Sequence, residues 1–282
     1  MLSPSVSTVK IKKIKNESRS YADDLLAAEE PLEIRLGYGR AGERYQKNIS
    51  VTMRTPGNDF ELALGFLFTE GIIKNYEDVK YIRYCSDSNR IENKENIVRA
   101  ELNENILPDL KRLERNFYTS SSCGVCGKAS IDSVKTICNS KPFGETLFVD
   151  EKYLFTLTEK LNQQQNIFKH TGGLHASALF DSSGELILSR EDIGRHNALD
   201  KLIGAAFASE MTPLEKYVLL LSGRASFELI QKAAVSGISI VAAVGAPSGL
   251  AVSLAKEFNM TLIGFLRNER FNIYSVEERI IT

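Results

Sequence analysis

Cysteine, histidine and net charge are all scarce in this 282-residue chain. There are four cysteines, Cys85, Cys123, Cys126 and Cys138, and three histidines, His170, His175 and His196. One CxxC is present, without a second CxxC or an HxxxH. A closed structural zinc site commonly uses two close ligand pairs, so the spacing spells out only half of one. The N-terminal "MLSPSVSTVKIKKIKNE" is basic but lacks the apolar run of a secretory signal. Few cysteines and no signal predict reduced thiols in the cytoplasm. Lys+Arg is 35 against Asp+Glu 36, a balance that gives no electrostatic case for binding nucleic acid. Hydrophobic residues at 43% and charged residues at 25% suit a soluble globular protein, long enough for two subdomains. One stretch, Ala233 to Ala255, carries no charge and is long enough to span a bilayer. Gly237, Gly245, Pro247 and Gly249 interrupt it, so it predicts a buried strand, a tight loop and a helix, and no membrane span.

What is present reads in two parts, a mixed α+β region over 1–115 and a second domain over 116–282. "PLEIRLGY" and "KNISVTMRT" predict strands that pair, and "VKYIRYC" and "NIVRAEL" predict two more. Between the pairs, "TPGNDFELALGFLFTEGI" predicts a helix apolar nearly all round, hence buried, with Asn58 or Asp59 as its cap. The CxxC precedes Ile131, Val134, Ile137 and Cys138 at helical spacing. Leu154, Leu157 and Leu161 mark the next helix, and "LHASALFDSSGELILSRED" a hairpin closed at Asp181–Gly184. The last third alternates: a helix through Leu199, Leu202, Ile203 and Ala206, then the strands "YVLLLSG", "SIVAAVG" and "MTLIGFL" with helices between. That order predicts parallel strands with crossover helices.

"SSCGVCGK" at 121–128 is the sharpest chemical feature. Cys123 and Cys126 could hold zinc, cycle between dithiol and disulfide, carry sulfur, or do nothing chemical. A zinc deaminase needs HxE followed by PCxxC. Here "HAS" puts Ser177 where the glutamate belongs, and the CxxC comes before the histidine. A thioredoxin-type pair lies early in a βαβ unit, whereas this one follows a polar serine-rich loop. "LSGRASFE" and "VGAPSGL" place glycines between a strand and a helix N-terminus, a location that suits anions, although tight turns alone would also need them. Neither is a P-loop. Arg267 and Arg270 flank Asn268 and Glu269 at a strand end, a set that suits a phosphate and a purine edge or else a solvated turn. His170, His175, Arg190, Glu191, Asp192, Arg195 and His196 cluster in sequence and suggest a polar cleft.

Seven segments in order resemble the formate dehydrogenase accessory sulfurtransferases, the FdhD or NarQ family. They are "TPGNDFELALGFLFTEGII", "YTSSSCGVCGK", "HTGGLHASALF", "REDIGRHNALDKLIG", "LSGRASFELIQKA", "GAPSGLAVSLA" and "GFLRNERFNIYS". The resemblance runs from about Glu30 to the C-terminus. It implies an α/β fold with a cytidine-deaminase-like second domain without zinc chemistry. It also implies relay of sulfur from a cysteine desulfurase to the molybdenum cofactor, in its bis-guanine-dinucleotide form, before that cofactor enters formate dehydrogenase. The persulfide-bearing cysteine corresponds to Cys123, with Cys126 its neighbour. The cofactor-binding loop corresponds to Phe265, Leu266, Arg267, Asn268, Glu269 and Arg270. No zinc, no nucleic-acid partner and a cytoplasmic homodimer are expected. The other class of reading is a non-catalytic nucleotide-binding protein whose CxxC is a structural metal site.

Overall fold

The computed structural model describes residues 5–16, 18–85, 95–108, 143–144 and 147–282. It opens on β1 (Val6–Lys15) and β2 (Ser18–Ala27), an antiparallel hairpin where the sequence reading assigned no element. Next come β3 (Glu30–Arg40), β4 (Glu43–Arg54), α1 (Asp59–Thr69), β5 (Val79–Tyr84) and β6 (Ile97–Leu102). Their four-stranded sheet runs β4-β3-β6-β5, so the expected β3–β4 pair joins the other two strands, which pair with each other, through a parallel β3–β6 contact. Leu32, Ile34 and Leu36 alternate along β3 toward the buried face, as period-2 patterning requires. Helix α1 lies on that face. Leu62 and Ala63 pack with Leu32, Ile34 and Val98, while Leu64 and Leu67 pack with Leu36, Ile49 and Ala100. The expected side-chain cap is not made. Asn58 sits in the left-handed region with φ 58° and no side-chain bond to the helix, and only its backbone carbonyl accepts from Leu62 N. Asp59 instead turns to the buried Arg54, which donates from Nε at 3.1 Å and from a terminal nitrogen at 2.9 Å.

The second half contains β7 (Val149–Asp150), α2 (Glu151–Gln164), α3 (Asn166–Thr171), β8 (His175–Phe180), β9 (Leu186–Asp192), α4 (Arg195–Ala208) and β10 (Val218–Leu221). It continues through α5 (Phe227–Val235), β11 (Ile240–Ala243), α6 (Gly249–Glu257), β12 (Thr261–Arg267), β13 (Arg270–Ser275) and β14 (Ile280–Ile281). The six-stranded sheet has the order β13-β12-β11-β10-β8-β9. Strands β10, β11 and β12 are parallel, as the alternation predicted, and the β8–β9 and β12–β13 hairpins run antiparallel on either side. Both faces are covered, which is why β10 and β11 are continuously apolar. Leu219, Leu221, Val241 and Leu262 face α4, α5 and α6; Val218, Leu220, Ile240 and Ile263 face Leu154, Leu157 and Leu161 of α2. The uncharged Ala233–Ala255 stretch is the end of α5, β11 and most of α6. No helix among the described residues is long and apolar enough to cross a membrane. The two sheets are joined where α1 packs on α4.

Candidate functional site

Parallel strands deliver their following loops to one end of a sheet. Here the loop after β10 (222–226) and the loop after β11 (244–248) lie side by side and continue the strand pairing. Gly245 N donates to Gly223 O at 2.9 Å, Ala225 N to Ala246 O at 3.2 Å and Ser248 N to Ala225 O at 2.9 Å. The end of β12 joins them, with Phe265 N donating to Gly245 O at 3.2 Å. Close approach explains two glycines. A Cβ on Gly245 would fall 2.9 Å from Arg224 Cα, and one on Gly264 would fall 2.8 Å from Pro247 Cδ.

Phe265 breaks the β12–β13 register. Its φ of 54° is rare for a bulky residue, and the bulge turns the ring outward, 42% exposed, beside the loop. Leu266 returns to the core. Arg267 donates through one terminal nitrogen to Val244 O at 2.7 Å and to Leu266 O at 2.8 Å, which fixes its stem on the β11 loop. Asn268 Oδ1 accepts from Thr158 Oγ1 of α2 at 3.0 Å. Glu269 and Arg270 are exposed. The segment expected as a loop is therefore the end of β12, a two-residue turn and the start of β13. Phe271 and Ile273 of β13 bury against the α2 side, which is what makes the return a strand.

His175 opens β8, antiparallel to β10, so it reaches the same end of the sheet. Ala176 N donates to Ser222 Oγ at 2.8 Å, and a Cβ on Gly223 would lie 3.2 Å from His175 Nδ1. Burial holds the His175 imidazole below its ordinary pKa of 6.5, with Arg195 and His196 adding to the shift. His196 Nε2 lies 2.7 Å from Glu228 Oε2 and 3.4 Å from Ser226 Oγ, bridging the N-termini of α4 and α5. That hydrogen bond is the main reason the Glu228 carboxyl titrates below its ordinary value. Asp192, fully buried, pairs with His175 across the hairpin. It accepts from Thr55 N, Gly194 N and Asn197 Nδ2, and sits 2.6 Å from Lys201 Nζ. Since Thr55 belongs to the first half, this network locks the two halves together beneath the histidines.

The sequence cluster splits in space. His175, Arg195 and His196 gather with the glycine loops. Arg190 turns to Glu61, with Nε at 2.5 Å. Glu191 accepts from Ile167 N and Phe168 N, and His170 is exposed on α3. Ser177 is buried within β8. Cys123 and Cys126 lie outside the described residues, as does the helix expected after them. Cys85 is a buried free thiol, and no group of three or more His, Cys, Asp or Glu able to hold a metal occurs among the described residues.

A model of the FdhD/NarQ family matches residues 27–281. The chain belongs to the FdhD/NarQ family. It is 49% identical to the sulfur carrier protein FdhD of Mycolicibacterium paratuberculosis over 91% of this chain and 92% of that one. It is 47% identical to that of Streptomyces coelicolor, over 96% and 94%. A crystal structure of a protein from Desulfotalea psychrophila, named as a formate dehydrogenase accessory protein, superposes with TM-score 0.75. It is 23% identical and covers 99% of this chain and all of that one, which carries the fold. Within this FdhD/NarQ chain, sequence reasoning did not find the contacts of Glu228 and Ser226 with His196, or the outward turn of Phe265. Glu228 stands in the first turn of α5 like many helix-start acids, and nothing along the chain connects it to His196.

Proposed function

We propose that this chain carries sulfane sulfur on Cys123, taking it from a cysteine desulfurase and delivering it to the molybdenum cofactor before that cofactor enters formate dehydrogenase. Relatives named as sulfur carrier proteins support the carrier role. The cofactor reading is supported by one observation above the rest: the glycine loops after β10 and β11 and the Phe265–Arg270 turn converge at a single sheet end. In this reading the cofactor, in its bis-guanine-dinucleotide form, is a substrate. Arg267 and Arg270 take phosphate oxygens, Asn268 and Glu269 meet a guanine edge, and the exposed Phe265 ring offers a face for stacking. The N-termini of α5 and α6, which follow the glycine loops, favour the anionic end of the cofactor.

The sulfur steps need no outside oxidant to load. The Cys123 thiolate attacks the outer sulfur of the donor persulfide. That S–S bond breaks, a new S–S bond forms on Cys123, and the donor leaves as a thiolate. Attack by Cys126 on the loaded Cys123 would release the outer sulfur as hydrosulfide and leave a Cys123–Cys126 disulfide, which a thiol reductant must then reopen. In the same reading the second domain is cytidine-deaminase-like, as the resemblance implies, and a hairpin before three parallel strands with helices on both faces supports it. Its deaminase chemistry is missing because Ser177 replaces the glutamate that would shuttle protons. A homodimer in the cytoplasm without zinc completes the reading. The test is to incubate the chain with a desulfurase and cysteine, then measure the mass of the 121–128 peptide. One added sulfur on Cys123, lost in Cys123→Ala, is expected. Full formate dehydrogenase activation by Cys123→Ala, or stoichiometric zinc lost in Cys126→Ala, would overturn the reading in favour of a structural metal site.

A further inference from the structure

Apart from its last residue, Ala27, the β1–β2 hairpin lies ahead of the residues that the family model matches, and the site described above uses none of it. Ten residues a side, it is paired without interruption from Val6↔Ala27 to Lys15↔Ser18, giving a ribbon about 34 Å long. It forms a two-stranded sheet by itself. Its attachment is at the base. Ala28 N donates to Ser5 O at 2.9 Å, Ser5 Oγ donates to Pro56 O at 2.7 Å, and β2 packs beside α3. An isolated two-stranded ribbon is marginal in water, because it buries too little apolar surface to offset the ordering of its backbone.

The outer part of the ribbon is cationic and partly apolar. From Lys10 to Ala22 the sequence holds Lys10, Lys12, Lys13, Lys15 and Arg19 against one acid, Glu17. Near the base the charges are matched, Lys10 facing Asp23 across the strands. Farther out they are not: Lys12 faces Tyr21, Lys13 faces Ser20, Ile14 faces Arg19 and Lys15 faces Ser18. Lys12 Nζ rests 5.8 Å from the Tyr21 ring centroid. Tyr21 is 82% exposed and Ile14 68%. Among the described residues no third strand pairs with the outer edge of β1, which presents its backbone donors and acceptors bordered by lysines on both faces.

We propose that this hairpin is a docking arm that receives an extended, acidic segment of a partner protein by strand addition along the outer edge of β1. An added strand would satisfy the edge backbone groups, and its carboxylates would sit beside Lys12, Lys13 and Lys15 on alternating faces. Ile14 would be covered by its apolar side chains. Charge disfavours a second copy in this position, because β1 against β1 stacks lysine on lysine. Nucleic acid satisfies lysines but leaves the strand edge and Ile14 unused. The base of the arm leads through Pro56 and Thr55 to Asp192, directly opposite His175, so a segment held here brings its owner toward the sheet end where the glycine loops lie.

The experiment uses the full chain and a fluorescent decapeptide that repeats Glu-Glu-Val-Val, which sets glutamate and valine alternately on both faces of a strand, followed by anisotropy. A single-stranded DNA decamer serves as competitor. The peptide is expected to bind with an affinity that falls as salt rises, and to slow hydrogen exchange of β1 amides. The triple variant Lys12→Glu/Lys13→Glu/Lys15→Glu, shown by circular dichroism to keep the hairpin, is expected to bind it at least roughly tenfold more weakly. Four outcomes each overturn the proposal: no peptide binding, equal binding to the variant, unchanged β1 exchange on binding, or complete displacement by the DNA. Sedimentation supplies a fifth, since a wild-type dimer that the triple variant cannot form would make a second copy the occupant.

Discussion

Gly65 of α1 and Gly204 of α4 meet back to back where the two helices cross. A Cβ built on Gly204 would fall 1.8 Å from Glu61 O and 2.7 Å from Gly65 N, and one built on Gly65 would fall 1.9 Å from Asp200 O. The neighbours are backbone, so no rotamer change relieves the overlap. This crossing is where the four-stranded and six-stranded sheets are held together.

Alanine at either position is therefore expected to destabilise the fold. Replacing a mid-helix glycine normally gains about 0.5–1 kcal/mol. Overpacking costs typically about 1–3 kcal/mol and more when backbone must move, so the clash wins. Urea denaturation of Gly65→Ala and Gly204→Ala should show lower midpoints than wild type. A raised midpoint in Gly204→Ala would mean the helices are farther apart than described.

A buried charge ties the same crossing to α5. Lys232 Nζ donates at 2.9 Å to both Asp200 Oδ1 and Thr69 Oγ1, with Glu70 Oε1 at 3.4 Å. Lys232→Met would leave Asp200 buried without its cation, at a cost of about 3–5 kcal/mol. The double variant Lys232→Met/Asp200→Leu should recover part of that loss. Denaturation of the three proteins checks both statements, and a harmless Lys232→Met would show that the pair contributes nothing.

His175 supplies a pH signature. Its pKa lies below the ordinary 6.5, chiefly because burial disfavours the imidazolium and because Arg195 and His196 are near. The unfolded chain therefore binds the proton more tightly than the folded one. The stability due to neutral His175 is complete above 6.5 and declines as pH falls through the lower folded value. With three histidines in the chain, ring resonances can be assigned by substitution. A midpoint for His175 at or above 6.5, or a His175→Gln variant whose stability falls with acid as steeply as wild type, would contradict this environment.

The β12–β13 turn carries the nucleotide prediction. GDP is expected to bind better than ADP. Arg267→Ala or Arg270→Ala should each remove about 1.5–3 kcal/mol of charged hydrogen bonding, weakening GDP roughly ten- to a hundredfold. Arg270 is the cleaner probe, since Arg267 also bonds Val244 O. Calorimetry decides; equal affinities for GDP and ADP, or no loss in either variant, would make the turn merely a solvated hairpin end.

Much of the architecture was legible in one dimension because it is written in local periodicity. Leu32, Ile34 and Leu36 alternate, Leu154, Leu157 and Leu161 recur at helical spacing, and the β10 to β12 units announce parallel strands through their order. Hydrophobic burial acts on each such segment separately, so the pattern survives without knowledge of the neighbours. The β1–β2 hairpin escaped because its strands cover no core and so show no apolar alternation. The ordered motifs placed the chain in its family. They could not reveal that His196 would bridge to Glu228, that Phe265 would turn out at a bulge, or that Gly65 would face Gly204. Those relationships join segments far apart in sequence, and only the close packing of helices and strands in three dimensions selects them. A glycine looks the same in the sequence whether it makes a turn or admits another backbone, and tertiary contact alone decides which.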